Sequence, residues 1–527
     1  TEPGPDSRAE DDPRDARAAA RVAAGIFLSR IFGLVRERVF AHWFGTTAFA
    51  DAWRAALRMP NVLQNLLGEG TLSASLIPVY AELLEEGREE EASRFAGAAL
   101  GILSVVAAAL ALLGVLLAPV LVPLFFSAWD PDTQALTITL VRILFPMTGV
   151  LVVSAWALGI LNSHRRFFVS YVAPVFWNLA MIATLVAGGS VFLLGQQDLV
   201  VALAWGALVG GILQFGIQVP FVLHHLRGFH LSLGRGVSGV KEAVNNFWPV
   251  VAARGVVNLS GWIDLILAGR LMNGAVALLG YAQTFYVLPI SLFGMSVAAS
   301  ELPELSRMRG EAERVLADRV SAALRRVSYF LIPSTLAYLA LGDVIVAALY
   351  QTGAFGTVQS LATWAVLAAY TLGLTASASS RVLSSAYYAL RDTRTPARIA
   401  TLRVVVSAVV GIALMFPLDG IGFQSLRLGA VGLALGASVG AWLEYGLLRR
   451  ALARRLGPHG PGTSPLTRMG LAAAVAAAVG VGLQIALPDA HPVWVALETL
   501  VPFGVVYLAL TAVLGVGIPL RRRASSA

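Results

Sequence analysis

The chain has 527 residues, of which 57% are hydrophobic and only 13% charged. Soluble domains carry about 25% charged residues, so this composition rules out a water-soluble globular protein and points to a chain built for hydrocarbon. There is no cysteine, which removes disulfides and thiolate metal sites. The net charge of +8 falls in short gaps between apolar runs and not on one basic face, which argues against a nucleic-acid partner.

Residues 1–19 (TEPGPDSRAEDDPRDARAA) are polar and charged and are expected to be disordered. They hold no apolar core ahead of a cleavage site, so they are not expected to act as a signal peptide, and the first span serves as the insertion signal. Apolar runs then follow one another to Leu520. A helix needs about 20 mostly apolar residues to cross the hydrocarbon. Hydropathy and breaker residues predict about fourteen helices. Their cores lie at 22–43, 56–80, 95–126, 136–162, 169–194, 199–223, 245–271, 276–300, 328–350, 360–390, 399–417, 428–448, 466–487 and 493–518. The runs are too long and too uniformly apolar for the alternating strands of a barrel. The expected fold class is therefore an all-α polytopic membrane protein.

Basic residues in the gaps alternate. Gaps after even-numbered spans, with the tail 521–527, hold 24 Lys and Arg; gaps after odd-numbered spans hold two, Arg54 and Arg427. The positive-inside rule then predicts both termini in the cytoplasm. A weak repeat relates Pro60 and ASLIPVYAEL (74–83) to Pro289 and ASELPELSRM (299–308). The offset of about six spans predicts two parallel halves. They run over 20–226 and 240–450, with two further helices over 464–520.

Charges inside spans are expensive and face protein or water more often than lipid. The first span, GIFLSRIFGLVRERVFAHWFG, carries Arg30, Arg36, Glu37 and Arg38, and its Gly25 and Gly33 are expected to let it bend. The second region begins with Asp51, Arg54 and Arg58 and holds Glu69 between two glycines. Arg254 and Asp264 lie in the seventh span. Asp264 either pairs with an arginine such as Arg254 or serves as a cation or proton site. Arginines gathered in a wet hollow suit an anionic substrate, because the guanidinium fork matches phosphate oxygens and stays charged. The residues thus predict a transporter with a cationic cavity in its first half. No Walker motif is present, so membrane potential or an ion gradient is expected to drive it. Glu37 and Asp264 are the candidate coupling carboxylates for Na+ or H+; no other cofactor and no resident metal are expected.

Several blocks resemble the MurJ/MviN lipid II flippases of the multidrug/oligosaccharidyl-lipid/polysaccharide exporter superfamily. They are LSRIFGLVRE (28–37), FGTTAFADAW (44–53), RMPNVLQNLLGEGTLSASLIPVYAE (58–82), RILFP (142–146), GILNSHRRFFVSYVAPVFWN (159–178) and YYALRDTRTPARIA (387–400). The resemblance implies two six-helix lobes in a V, with two C-terminal helices forming a groove for a lipid tail. It implies alternating-access flipping of undecaprenyl-diphosphate-linked peptidoglycan precursor, lipid II, to the outer leaflet of the bacterial cytoplasmic membrane. Implied partners are lipid II, the bilayer and the cell-wall synthesis machinery. The family's first-span arginines match Arg30 and Arg36, with Ser29 before the first. Its acidic residue after the first loop matches Asp51, and its second-span Glu matches Glu69. The sequence departs from the family at Gln64, Thr284 and Val287, where charged residues are usual; Arg58 and Arg254 are the candidates to supply the missing charge. Flippases of other lipid-linked glycans and drug/cation antiporters of the same superfamily are the alternative readings. The arginine excess of the first span disfavours the antiporter.

Overall fold

Prolines and glycines decide where the long apolar stretches break. The structure, a computed structural model, describes residues 13–271, 273–307, 313–423, 426–487 and 491–517. Most of residues 1–19 and the tail 521–527 lie outside them. The first helix nevertheless begins at Pro13, inside the stretch expected to be disordered.

Two units divide the chain, one running to Phe44 and over Ala52–Trp262, the other Gly45–Asp51 and from Ile263 onward. The first unit contains α1 (Pro13–Phe44), most of α2 (Ala48–Leu67), then α3 (Glu69–Ser75), α4 (Ile77–Glu85), α5 (Glu89–Phe125), α6 (Pro131–Ser163), α7 (Phe167–Val186), α8 (Gln196–His225) and the larger part of α9 (Val240–Ala268). The second contains α10 (Ala275–Pro289), α11 (Ser296–Arg307), α12 (Glu313–Tyr350), α13 (Thr357–Thr371), α14 (Leu374–Ala389), α15 (Arg394–Asp419), α16 (Gly429–Leu456), α17 (Thr463–Ala486) and α18 (Pro492–Val513). A hairpin of two-residue strands, β1 (Gly422–Phe423) and β2 (Leu426–Arg427), joins α15 to α16.

Each predicted segment falls on helix, so the protein is an all-α polytopic membrane protein. Among the described residues ten helices are long and apolar enough to cross a membrane, or eleven with the bent pair α13–α14, against about fourteen expected. The structure also interrupts several stretches that the sequence reads as single helices. The predicted 56–80 core is three helices, broken at Gly68 and Leu76. Thr71 donates its hydroxyl to the Leu66 carbonyl at 2.6 Å across the first break, replacing a partner that the helix no longer supplies. The predicted 276–300 core passes from α10 through a π-helical turn, Ile290–Met295, into α11. The predicted 360–390 core bends by 41° between α13 and α14. Ser438 of α16 donates to the Ala369 and Tyr370 carbonyls beside that bend at 2.6 and 3.1 Å. Gly25 and Gly33, by contrast, do not interrupt α1; Gly25 lets α1 lie against Tyr171 of α7.

The core of the first unit packs Tyr80, Phe95, Trp156 and Ile160, with the Trp156 indole N–H donating to the Ala96 carbonyl at 3.1 Å. The chain after α8 belongs to this unit: its His230 and Ser232 carbonyls rest on Gly97 and Gly101 of α5, where any side chain would collide with them. In the second unit Tyr329, Leu341, Met469, Phe503 and Tyr507 join α12 to α17 and α18. The Tyr507 hydroxyl there donates to the Tyr329 carbonyl at 2.5 Å.

Glycines in α16 bring α15 to backbone contact. A Cβ on Gly436 would lie 2.6 Å from the Gly411 nitrogen and the Ser407 carbonyl oxygen. Gly436→Val should therefore lower stability by about 1–3 kcal/mol through overpacking, read as a fall in the thermal unfolding midpoint in detergent. Gly446→Ala, on the same helix with open space around it, should stay within about 0.5 kcal/mol.

Candidate functional site

The charges of α1 acquire partners from helices distant in sequence. Arg36 donates through one guanidinium nitrogen to Glu37 at 2.7 Å and through another to the Asn178 side-chain oxygen of α7 at 3.1 Å. Arg54 of α2 donates to the second Glu37 oxygen at 2.9 Å. Glu37 thus holds two guanidiniums, one on each oxygen. Aromatic faces complete the setting: Arg36 lies 5.2 Å from the Trp177 ring and Arg54 lies 5.5 Å from the Phe40 ring, within cation–π range. The side chains of Arg36, Glu37 and Arg54 are 19%, 16% and 15% exposed. They are withdrawn from solvent yet remain reachable.

A guanidinium fork matches phosphate oxygens. Among the described residues no group of three or more His, Asp or Glu is arranged to hold a metal.

The other sequence-derived candidates lie in different settings. Arg30 is exposed on α1, and Ser29 beside it is half-buried. Arg30 makes no hydrogen bond or ion pair among the described residues. Arg58 is exposed on α2, and its guanidinium rests on Gly261 of α9, where an added Cβ would run into it. Asp264 is half-buried on α9. The side chains of Glu69 and Arg254 lie outside the described residues. Thr284 donates to the Gly280 carbonyl one turn earlier at 3.1 Å, so its hydroxyl is spent on its own helix.

Asp51, to which the resemblance gave a binding role, is held by the backbone of a helix distant in sequence. Its carboxylate is fully buried and accepts the Gly274 and Ala277 backbone N–H groups, the second at 2.7 Å. Gly274 is the N-cap of α10, at φ +97°, and has no side chain to cap with. Asp51 supplies the missing acceptor from the first turn of α2, and its charge complements the positive end of the α10 dipole. Its role in this structure is to anchor a helix.

Asn178 and the Arg54–Glu37 bond escaped the sequence reading. Asn178 ends the block GILNSHRRFFVSYVAPVFWN, but nothing in its local pattern separates a ligand of arginine from ordinary interhelical glue.

A family model described as lipid II flippase MurJ matches residues 40–501. The chain belongs to the lipid II flippase MurJ family. Relatives include the lipid II flippase MurJ of Burkholderia cenocepacia, 31% identical over 83% of this chain and 84% of that one. The probable lipid II flippase MurJ of Rhizobium tropici is 31% identical over 81% and 79%, and that of Vibrio cholerae 30% over 94% and 95%. A solved structure of lipid II flippase MurJ in an inward closed conformation shares the fold, with a TM-score of 0.76 and 24% identity over 93% of this chain and 98% of that one. An inward-facing multidrug resistance transporter of the MATE family, in the MOP superfamily, matches with a TM-score of 0.64 and 15% identity over 83% and 98%. The MurJ family comprises transporters and not enzymes. Its match begins at Phe40, so the roles of Arg30, Arg36 and Glu37 rest on their own geometry.

Glu37→Gln should cost about 1–3 kcal/mol, because two guanidiniums lose their shared counter-charge. The double variant Glu37→Gln/Arg54→Gln should recover part of that loss in a thermal-unfolding cycle; strictly additive losses would show that the pair is uncoupled. Asp51→Ala should cost about 1–3 kcal/mol by leaving two buried N–H groups without an acceptor, again read as a lower unfolding midpoint in detergent.

Proposed function

We infer that the protein is a lipid II flippase of the bacterial cytoplasmic membrane. It moves the undecaprenyl-diphosphate-linked peptidoglycan precursor from the inner to the outer leaflet by alternating access. The observation that carries this reading is the family match over residues 40–501. The Arg36–Glu37–Arg54 cluster supports it chemically, since guanidinium forks match diphosphate oxygens.

In this reading Arg36 and Arg54 take the diphosphate oxygens, and Glu37 holds both guanidiniums at a fixed spacing before the substrate arrives. Asn178 keeps Arg36 from turning away. Arg30, exposed two turns earlier on α1, meets the head group first, with Ser29 beside it. Arg58 and Arg254 supply the charge that Gln64 and Thr284 do not, and Glu69 completes the polar lining. The architecture we propose has fourteen spans in two six-helix lobes over 20–226 and 240–450, with 464–520 receiving the lipid tail. The bias of basic residues in the gaps supports cytoplasmic termini.

Energy comes from the membrane potential or an ion gradient, at about 2.3 kcal/mol per elementary charge per 100 mV. We propose Asp264 and Glu37 as the coupling carboxylates.

Rescue of a strain depleted of its own lipid II flippase tests the whole reading. The wild-type chain should restore growth, and Arg36→Ala and Arg30→Ala should abolish rescue at normal membrane levels. Arg36→Lys should rescue only partly, because an ammonium cannot donate as a planar fork. Full rescue by well-expressed Arg36→Ala would remove Arg36 from the mechanism.

A further inference from the structure

Helix α14 is buried along most of its length, packed against α11, α12 and α16 of the second unit. Only Thr375, Arg381, Ser384 and Tyr388 escape full burial. The last three lie three and four residues apart, which places them within about 60° of one another around the helix. One polar face of an otherwise enclosed helix is therefore left open. Its donors are unspent: among the described residues the side chains of Arg381, Ser384 and Tyr388 make no hydrogen bond and no ion pair. Their neighbours are committed. Ser385 donates to the Arg381 carbonyl at 3.2 Å, and Thr375 shares a hydrogen bond with Thr335 of α12 at 3.3 Å. The buried Tyr387 hydroxyl donates to the Leu448 carbonyl at 3.1 Å, whereas the adjacent Tyr388 is 45% exposed. Acids of this unit are taken by other arginines, Glu444 by Arg403 and Asp392 by Arg455, each at 2.7 Å.

We propose that this face of α14 is a second anion site, which takes a peptide carboxylate of the transported precursor. The inference rests on the lipid II reading given above. Arg381 sits two turns inside the helix end at Ala389, and α13 and α14 together pass as one bent span. A guanidinium at that place faces water or protein and not hydrocarbon. The exposed side chains of α15 from Leu402 to Phe416, by contrast, are all apolar, as a lipid-facing surface requires. The free guanidinium fork matches a carboxylate through two parallel N–H bonds. Arg381 and Tyr388 stand about 10 Å apart along the axis, too far for one phosphate group to span. That spacing suits an extended group whose carboxylate meets Arg381 while its amide carbonyls accept from Ser384 and Tyr388. A peptide has this chemistry, and the peptide of a peptidoglycan precursor carries free carboxylates. The diphosphate belongs to the α1 cluster, so the two sites read different parts of one head group.

The test measures dissociation constants of the full-length protein in detergent, by thermophoresis, for three ligands: lipid II, lipid II with its peptide carboxylates amidated, and undecaprenyl diphosphate. The wild type should bind lipid II several-fold more tightly than the amidated form. Arg381→Gln should lose that discrimination and bind both as the wild type binds the amidated form. Its affinity for undecaprenyl diphosphate should be unchanged, which also shows that the variant folds. The double variant Ser384→Ala/Tyr388→Phe should lose a smaller part of the affinity for lipid II and none of that for undecaprenyl diphosphate. Equal binding of lipid II and its amidated form by the wild type, or undiminished discrimination in Arg381→Gln, would overturn the carboxylate site and leave the flippase reading standing. A loss of undecaprenyl diphosphate binding in Arg381→Gln, with the double variant unaffected, would place Arg381 on the phosphate and overturn it as well. A wild type that binds none of the three ligands would remove both the site and the flippase reading.

Discussion

A guanidinium withdrawn from water needs a counter-charge, and in this protein one carboxylate serves two. Glu37 holds Arg36 and Arg54 on its separate oxygens. Either arginine alone would face a large desolvation cost, and Glu37 alone would face the same cost with the opposite sign. Together they are tolerated, and they fix α1 to α2, while Asn178 and Trp177 fix the same patch to α7. A cluster with no acid would hold its arginines apart and poorly oriented. The shared carboxylate keeps the guanidiniums preorganised, the condition under which binding costs little reorganisation.

The same economy of charge governs Asp51. A buried carboxylate can be held by backbone N–H groups as well as by arginine, and the start of α10 presents two of them. Helix α10 begins at a glycine and cannot cap itself. The acid that sequence resemblance suggested for substrate therefore secures the entry to the second unit. It is separated by 223 residues from the group it holds.

Much of the fold was legible before any coordinates. Uninterrupted apolarity places α5, α6, α8, α17 and α18 close to their observed positions, because a helix in lipid must satisfy its own backbone and its composition announces it. The breaks were harder to read. Gly68 ends α2, whereas Gly33 leaves α1 intact. A glycine's local sequence does not say whether a neighbour stands ready to accept the freed backbone groups. The carbonyls beside the bend after α13 take a hydrogen bond from Ser438, some 68 residues away. In the candidate site, the charged residues of α1 stood out because charge in an apolar run is rare. Their pairing did not, because Arg54 and Asn178 become ligands of Glu37 and Arg36 only through packing. Resemblance singled out Asp51, and only packing brings it the backbone N–H groups of α10.

The central claim is that the α1 cluster draws the substrate by its phosphate. Native mass spectrometry of the purified protein, titrated with lipid II and with neutral undecaprenol, tests it directly. Selective retention of the diphosphate species, weakened as ionic strength rises and lost in Arg36→Ala, is the result this account predicts. Equal retention of the neutral polyprenol, or undiminished lipid II binding without Arg36, would contradict it.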